Sequence, residues 1–308
     1  MNRLIHSSSA LLRALQMSAA QVFVFVEGKT DVYFYSKICK AVCDSLAVSY
    51  EIHSLQQLGG SGGKLGLLAL HDQLEQNKSL VDTRFGKTTV CLFYLDKDTE
   101  SSRKLRRSRH IAYTLYYTLE NHIFLEANVT EAIRIAASLD TSYTLPNSKD
   151  LCRLASVHWK EWSKLCLLAY TKGIGSDCGY HSISRINTEP NGSISQTEYT
   201  KYQGILQSRG GLSQNDFDLI FQRISRLVDF LYRQGKQDLV FKGKWYSHIL
   251  SNDIEHILGT VIPNLGKYTP DELTKISASS LDFNQDWAEH FKKPLREVIG
   301  FLPSLGRL

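Results

Sequence analysis

Five carboxylates stand where the chain leaves apolar stretches. Val22–Val26 (VFVFV) has no polar break, Glu27 follows it at once, and Asp31 comes four residues later. Thr88–Leu95 (TTVCLFYL) runs into Asp96-Lys97-Asp98, and Ile111–Leu119 runs into Glu120-Asn121. Such runs read as strands of a mostly parallel sheet, and open α/β sheets bind ligands at the carboxyl ends of their strands. Acids collected there oppose one another. Two carboxylates about 4 Å apart repel by roughly 4 kcal/mol at an effective dielectric of about 20, so several together call for cations or displaced pKa values. All-oxygen ligation suits Mg²⁺ or Mn²⁺, and a site with one or two such ions suits phosphoryl transfer. Plainer readings exist for each acid: Asp31 as a charge at a helix N-terminus, Asp96-Lys97-Asp98 as a turn, Glu120 as the start of a helix.

Two neighbouring stretches fit a phosphate-bearing substrate. Ser101–His110 (SSRKLRRSRH) holds Arg103, Lys104, Arg106, Arg107 and Arg109 and no acid, so it is either a polyanion contact or a solvated basic loop. Leu58–Gly66 (LGGSGGKLG) could aim backbone amides at a phosphate, with Lys64 beside them. It is not a P-loop, because Leu58 and Leu65 stand where glycine and Ser/Thr are required. Gly28-Lys29-Thr30 fails likewise, with Phe23 in the glycine position. No ATP hydrolysis is expected.

The elements that must carry these residues follow from periodicity. Thr30 is placed to cap a helix reaching about Leu46, Ser49–Leu55 alternates as a strand, and Leu67–Leu80 returns to helical spacing. The order β-α-β-α-β-loop-β-α over 20–137 predicts a doubly wound α/β domain. A linker is expected over Asp140–Lys149, followed by a mainly helical region, 138–308. In it Phe217, Ile220, Phe221, Ile224, Leu227, Val228 and Leu231 form a stripe expected to be core, and Asn187–Thr200 reads as an exposed loop.

The 308 residues are 43% apolar and 22% charged with a formal net charge of +5, which permits a nucleic-acid partner without requiring one. Six scattered cysteines read as buried thiols in a reducing cytoplasm rather than a disulfide framework, and Cys39/Cys43 lack a companion pair at zinc spacing. Arg13 interrupts the one candidate signal segment, and no apolar run reaches membrane-spanning length.

EGKTD followed by a downstream DKD, each closing an apolar strand, resembles the signature of a TOPRIM domain, the metal-dependent catalytic fold of topoisomerases, bacterial primases and overcoming-lysogenization-defect nucleases. VEGKTDVYFY, GGSGGK, TLENHIF and a late FKGK resemble a narrower group that includes the TOPRIM effector of the two-gene PARIS anti-phage system. The resemblance covers residues 22–126 and thins beyond. It implies that Glu27 is the central metal ligand and general acid/base, that Asp31, Asp96 and Asp98 complete the site, and that Glu120 matches the acid after the last TOPRIM strand. It also implies a late catalytic lysine, Lys244 or else Lys242. Further implications are a Mg²⁺-dependent endonuclease acting as toxin, cleavage of host RNA such as tRNA, control by a separate ABC-type ATPase, and dimerisation once released. The other reading is a catalytically silent TOPRIM-like module that binds nucleic acid or a partner. No zinc-ligand cysteine pairs support a primase, and no transesterifying tyrosine setting supports a topoisomerase.

Overall fold

The computed structural model describes residues 8–54, 63–84, 86–98, 105–174 and 194–303. Its elements run α1 (Ser8–Met17), β1 (Val22–Val26), α2 (Asp31–Cys43), β2 (Tyr50–Ser54), α3 (Lys64–Gln76), β3 (Val81–Arg84), β4 (Lys87–Leu95) and β5 (Ile111–Tyr113). Helices α4 (Leu119–Glu126), α5 (Val129–Ala136), α6 (Ser148–His158), α7 (Lys160–Lys172), α8 (Gln196–Arg209) and α9 (Gln214–Arg233) follow. The last are α10 (Gly243–Asn252), α11 (Ile254–Leu258), α12 (Pro270–Ser279) and α13 (Glu289–Ile299). The chain is α/β, with a mostly parallel sheet and a helical region. It divides into two compact units, Met1–Leu115 with Asp282–Leu308, and Tyr116–Leu281. The division thus falls after Leu115 rather than after residue 137, and the C-terminal segment belongs with the sheet.

In the first unit the strand order is β2-β1-β4-β3, with β5 also on β4. β1 is parallel to both β2 and β4, in a register that sets Val26 opposite Ser54 and Phe25 opposite Phe93. β3 pairs antiparallel with the first half of β4, and β5 pairs parallel with its second half. The pleat sends Phe23, Phe25, Cys91, Phe93 and Leu95 into a core with Leu15, Leu67, Leu70 and Leu74 from α1 and α3. The alternate residues face α2 and α13. Tyr94 stacks on Tyr35 at 4.1 Å, and its hydroxyl donates to the Phe291 carbonyl at 2.5 Å. A sheet covered on both faces explains why β1 has no polar position.

Three expectations change here. The sequence did not predict β3, which is four residues long, polar at three of them (VDTR) and an edge; Gly86 supplies φ 76° in its connection to β4. The fourth strand is only Ile111–Tyr113, not Ile111–Leu119. Thr30 occupies the N-cap of α2 without a capping bond; its hydroxyl reaches the Asp31 carboxylate instead.

The second unit buries Trp159, Trp162, Trp245, Tyr246, Phe124 and Phe241 completely. The α9 stripe is narrower than its periodicity predicts: Phe217, Ile224 and Val228 are buried, whereas Leu227 is 49% exposed. Residues 187–193 of the expected loop lie outside the described residues, and from Gln196 the chain is helical rather than looped.

Candidate active site

β1 and β4 lie side by side and parallel, so the residues that follow them emerge at the same sheet edge. The amide of Asp96 donates to Glu27 Oε1 at 2.8 Å, which fastens the glutamate across the two strand ends. One turn on, Asp31 Oδ2 accepts the Gly28 amide at 2.8 Å. Asp98, in the turn that follows β4, takes a left-handed φ of 54°, a conformation aspartate tolerates better than most residues. The Lys97 amide donates to Thr114 Oγ1 at 2.9 Å, joining the exits of β4 and β5.

Lys64 completes the group. Gly63 precedes it at φ 89°, where a side chain would be strained, and Lys64 is the first residue of α3. Its ammonium lies 3.1 Å from Asp98 Oδ2 and 3.3 Å from the Lys97 carbonyl, and 5.5 Å from the centre of the Tyr113 ring. The side chain is only 11% exposed. The sequence assigned Lys64 to nucleic acid; the structure places its ammonium in the acidic cluster, as a counter-ion to Asp98. That role has no local signal, because 34 residues separate Lys64 from Asp98.

Electrostatics sets Glu27 apart. Burial pushes its carboxyl up to about 7 from an ordinary 4.5; the charges of Asp98 and Asp31 add to the rise, while the Asp96 amide and Lys64 oppose it. A group that titrates near neutrality among like charges has the properties of a general acid/base or of a ligand awaiting a cation. The oxygen donors suit Mg²⁺ or Mn²⁺. Among the described residues no three of these acids bring ligand atoms within 4.8 Å of one another, so the fit is to an ion held by one or two carboxylates and completed by water and phosphate, the usual mode for Mg²⁺.

His71, Asp72 and Glu75 on α3 do meet that spacing. Arg106 already fills the cation role there, with an ion pair to Asp72 and a 2.8 Å contact to Glu75. Arg106 is therefore not the free phosphate contact that the basic run predicted. Arg107 and Arg109 are exposed and carry no ion pair among the described residues, while Arg103 and Lys104 lie outside them.

Glu120 does not end a strand. It sits in the first turn of α4, in the second unit, and its carboxylate is 3.5 Å from Lys244. Gly243 makes that approach possible: a Cβ there would stand 2.3 Å from the Asn121 nitrogen and 2.6 Å from the Glu120 carbonyl carbon. Lys242 is buried, whereas Lys244 is 60% exposed. Beside this pair is a network the sequence did not disclose. Asn121 Nδ2 donates to Asp238 Oδ1 and to the Phe241 carbonyl, both at 2.9 Å, and the Tyr246 hydroxyl donates to Asp238 Oδ1 at 2.9 Å. Burial pushes Asp238 up to about 6, with the bonds from Asn121 and Tyr246 opposing the rise.

No family model matches the chain, and no curated protein matches it.

Proposed function

We propose that the first unit carries a divalent-cation-dependent phosphodiester hydrolase site centred on Glu27. The observation that supports this reading most is the partly buried Glu27 carboxyl, held near neutral pKa among Asp31, Asp96 and Asp98 at the ends of two parallel strands. Glu27, with one more carboxylate drawn from Asp31, Asp96 and Asp98, would hold Mg²⁺ or Mn²⁺, which when bound supplies charge neutralisation for a phosphate and a more acidic water. Glu27 holds or releases a proton near pH 7, within reach of the Asp96 amide. Lys64 restrains Asp98 and lowers the repulsion within the group. The resemblance extends the proposal to an endonuclease toxin of an anti-phage system, acting on RNA such as tRNA and restrained by an ABC-type ATPase.

Glu27→Ala tests the core of it. Wild type should cleave RNA with Mg²⁺ and melt higher when the ion is added, because a ligand that binds the native state stabilises it. The variant should lose cleavage, by roughly a hundredfold or more, and its melting point should be nearly indifferent to Mg²⁺. A variant that cleaves as wild type does would overturn the assignment.

One observation favours the silent-module reading: the Lys64 ammonium already supplies a cation to the cluster. That reading expects no Mg²⁺-dependent rise in the melting point of wild type, and no cleavage.

A further inference from the structure

The second unit contains a cavity of about 620 Å³ to which no residue of the Glu27 cluster contributes. Its size falls within the range of roughly 300–1,000 Å³ typical of small-molecule sites. One wall is a face of α6, where Lys149, Arg153 and Ser156 recur at helical spacing. The end of α4 adds Glu126, and the last turn of α9 adds Tyr232 and Arg233.

The charge balance points to an anionic occupant. Lys149, Arg153, Lys160 and Arg233 line the cavity against the single carboxylate of Glu126. Lys160 is largely committed, 2.7 Å from Asp229, and Arg153 is loosely shared with Asp150 at 3.7 Å. Lys149 and Arg233 are exposed and have no ion pair among the described residues. Lys149 and Arg233, with Arg153 only loosely paired, outnumber the one carboxylate of Glu126 on this concavity; such an excess of positive charge suits phosphate oxygens, and arginine offers the planar fork that phosphate accepts bidentately.

The cavity also has ring surface. Tyr232 is a fixed wall, its hydroxyl donating to the Ser156 carbonyl at 3.0 Å and its ring 5.4 Å from the Lys160 ammonium. Tyr116 lines it too, its ring braced at 4.7 Å by His122. A base stacks on such surface whatever its identity. Burial raises the Glu126 pKa, with Lys149 opposing, and this carboxyl can meet the amino or hydroxyl groups of a nucleoside.

We propose that this cavity binds a phosphorylated ligand of nucleotide size, with phosphates on Lys149, Arg153 and Arg233 and a base against Tyr116 and Tyr232. The proposal is of binding alone; the sequence has no P-loop. The same chemistry is offered by a free nucleotide and by one nucleotide of an RNA strand.

Isothermal titration of the full chain in EDTA, with ATP and separately with a short single-stranded RNA, tests the site and separates the sources. ATP should bind, and Arg153→Glu with Arg233→Glu should weaken it by about tenfold or more, the loss expected for one charge-assisted contact. Glu27→Ala should leave this binding unchanged, which keeps the result apart from the proposed cleavage site. Arg223→Glu with Arg226→Glu, the same change of net charge at exposed positions of α9, should have little effect. If ATP does not bind but RNA does, and the Arg153/Arg233 pair alone weakens it, the occupant is a nucleotide of a strand. Failure of both probes to bind, or equal binding to the double variant and wild type, overturns the proposal. So does equal weakening by the two charge-reversed pairs. Should melting show that the Arg153/Arg233 reversal unfolds the unit, Arg153→Gln with Arg233→Gln takes its place, with the same direction expected.

Discussion

Glu27 in the first unit and Asp238 in the second are both carboxylates withdrawn from water, and burial raises the pKa of each, to about 7 and about 6. Their surroundings differ in kind. Asp238 receives hydrogen bonds from Asn121 and Tyr246, and its effect is to tie α4 to α10 and the segment before it. Glu27 receives one backbone amide and is faced by Asp31 and Asp98, which repel it, with Lys64 the one cation offsetting them. A buried acid surrounded by donors belongs to the structure; a buried acid surrounded by other acids costs stability and is kept for something else.

The widest gap between the two should appear on truncation. Glu27→Ala removes one of several mutually repelling charges, so without metal the melting point should hold or rise slightly. Asp238→Ala strands the buried Tyr246 hydroxyl and one Asn121 donor, at about 1–3 kcal/mol for each unsatisfied group, and should lower the melting point by many degrees. Equal losses in the two variants, followed by chemical denaturation, would erase the distinction.

Gly243→Ala sharpens the structural side. An added methyl meets backbone atoms of α4 under 3 Å away, and backbone cannot step aside as a flexible side chain can. A loss on the order of 2 kcal/mol is expected, measured by urea denaturation. Lys244→Ala, one residue on, takes the ammonium from the largely buried Glu120 carboxylate; because the lysine itself is exposed and screened, the loss should stay at about 1 kcal/mol, below that of the glycine change. Slower cleavage by the Lys244 variant would support the lysine's catalytic assignment, and unaltered cleavage would remove it.

The pH dependence separates the two acids by window. Each has a folded pKa above its ordinary value, so each favours the folded state most when protonated. The contribution of Asp238 is present below about 3.8 and is gone by about 6. That of Glu27 is present below about 4.5, falls steadily above it and is gone only by about 7. Melting of the metal-free chain should therefore keep falling between pH 6 and 7, and Glu27→Gln should flatten that interval. The rise produced by Mg²⁺ should run the other way, growing as pH climbs through 7. A profile unchanged by Glu27→Gln would mean that the carboxyl is not displaced.

The smallest effects concern the basic run. Arg107→Gln with Arg109→Gln should reduce the salt dependence of RNA affinity by about two counterions. Arg106→Gln should leave it nearly level, because Asp72 and Glu75 already hold that guanidinium. Equal slopes for all variants would return the run to a solvated loop.

The sequence by itself determined what is set over a few residues. It placed β1, β2 and β4 from unbroken or alternating apolar runs, α2 and α3 from spacing, and Glu27, Asp31, Asp96 and Asp98 beside the strand ends, because side-chain burial alternates or recurs with backbone geometry alone. It left open whether Glu120 ends a strand or starts a helix, because a polar residue after an apolar run fits both. Only tertiary structure decided the rest. That α13 returns to cover the sheet, that Lys64 neutralises Asp98, that Arg106 is clasped by α3, and that Gly243 admits Lys244 to Glu120 are contacts between residues tens to hundreds of positions apart. Such partners are selected by which surfaces fit when the core closes, and no short stretch of sequence carries that information.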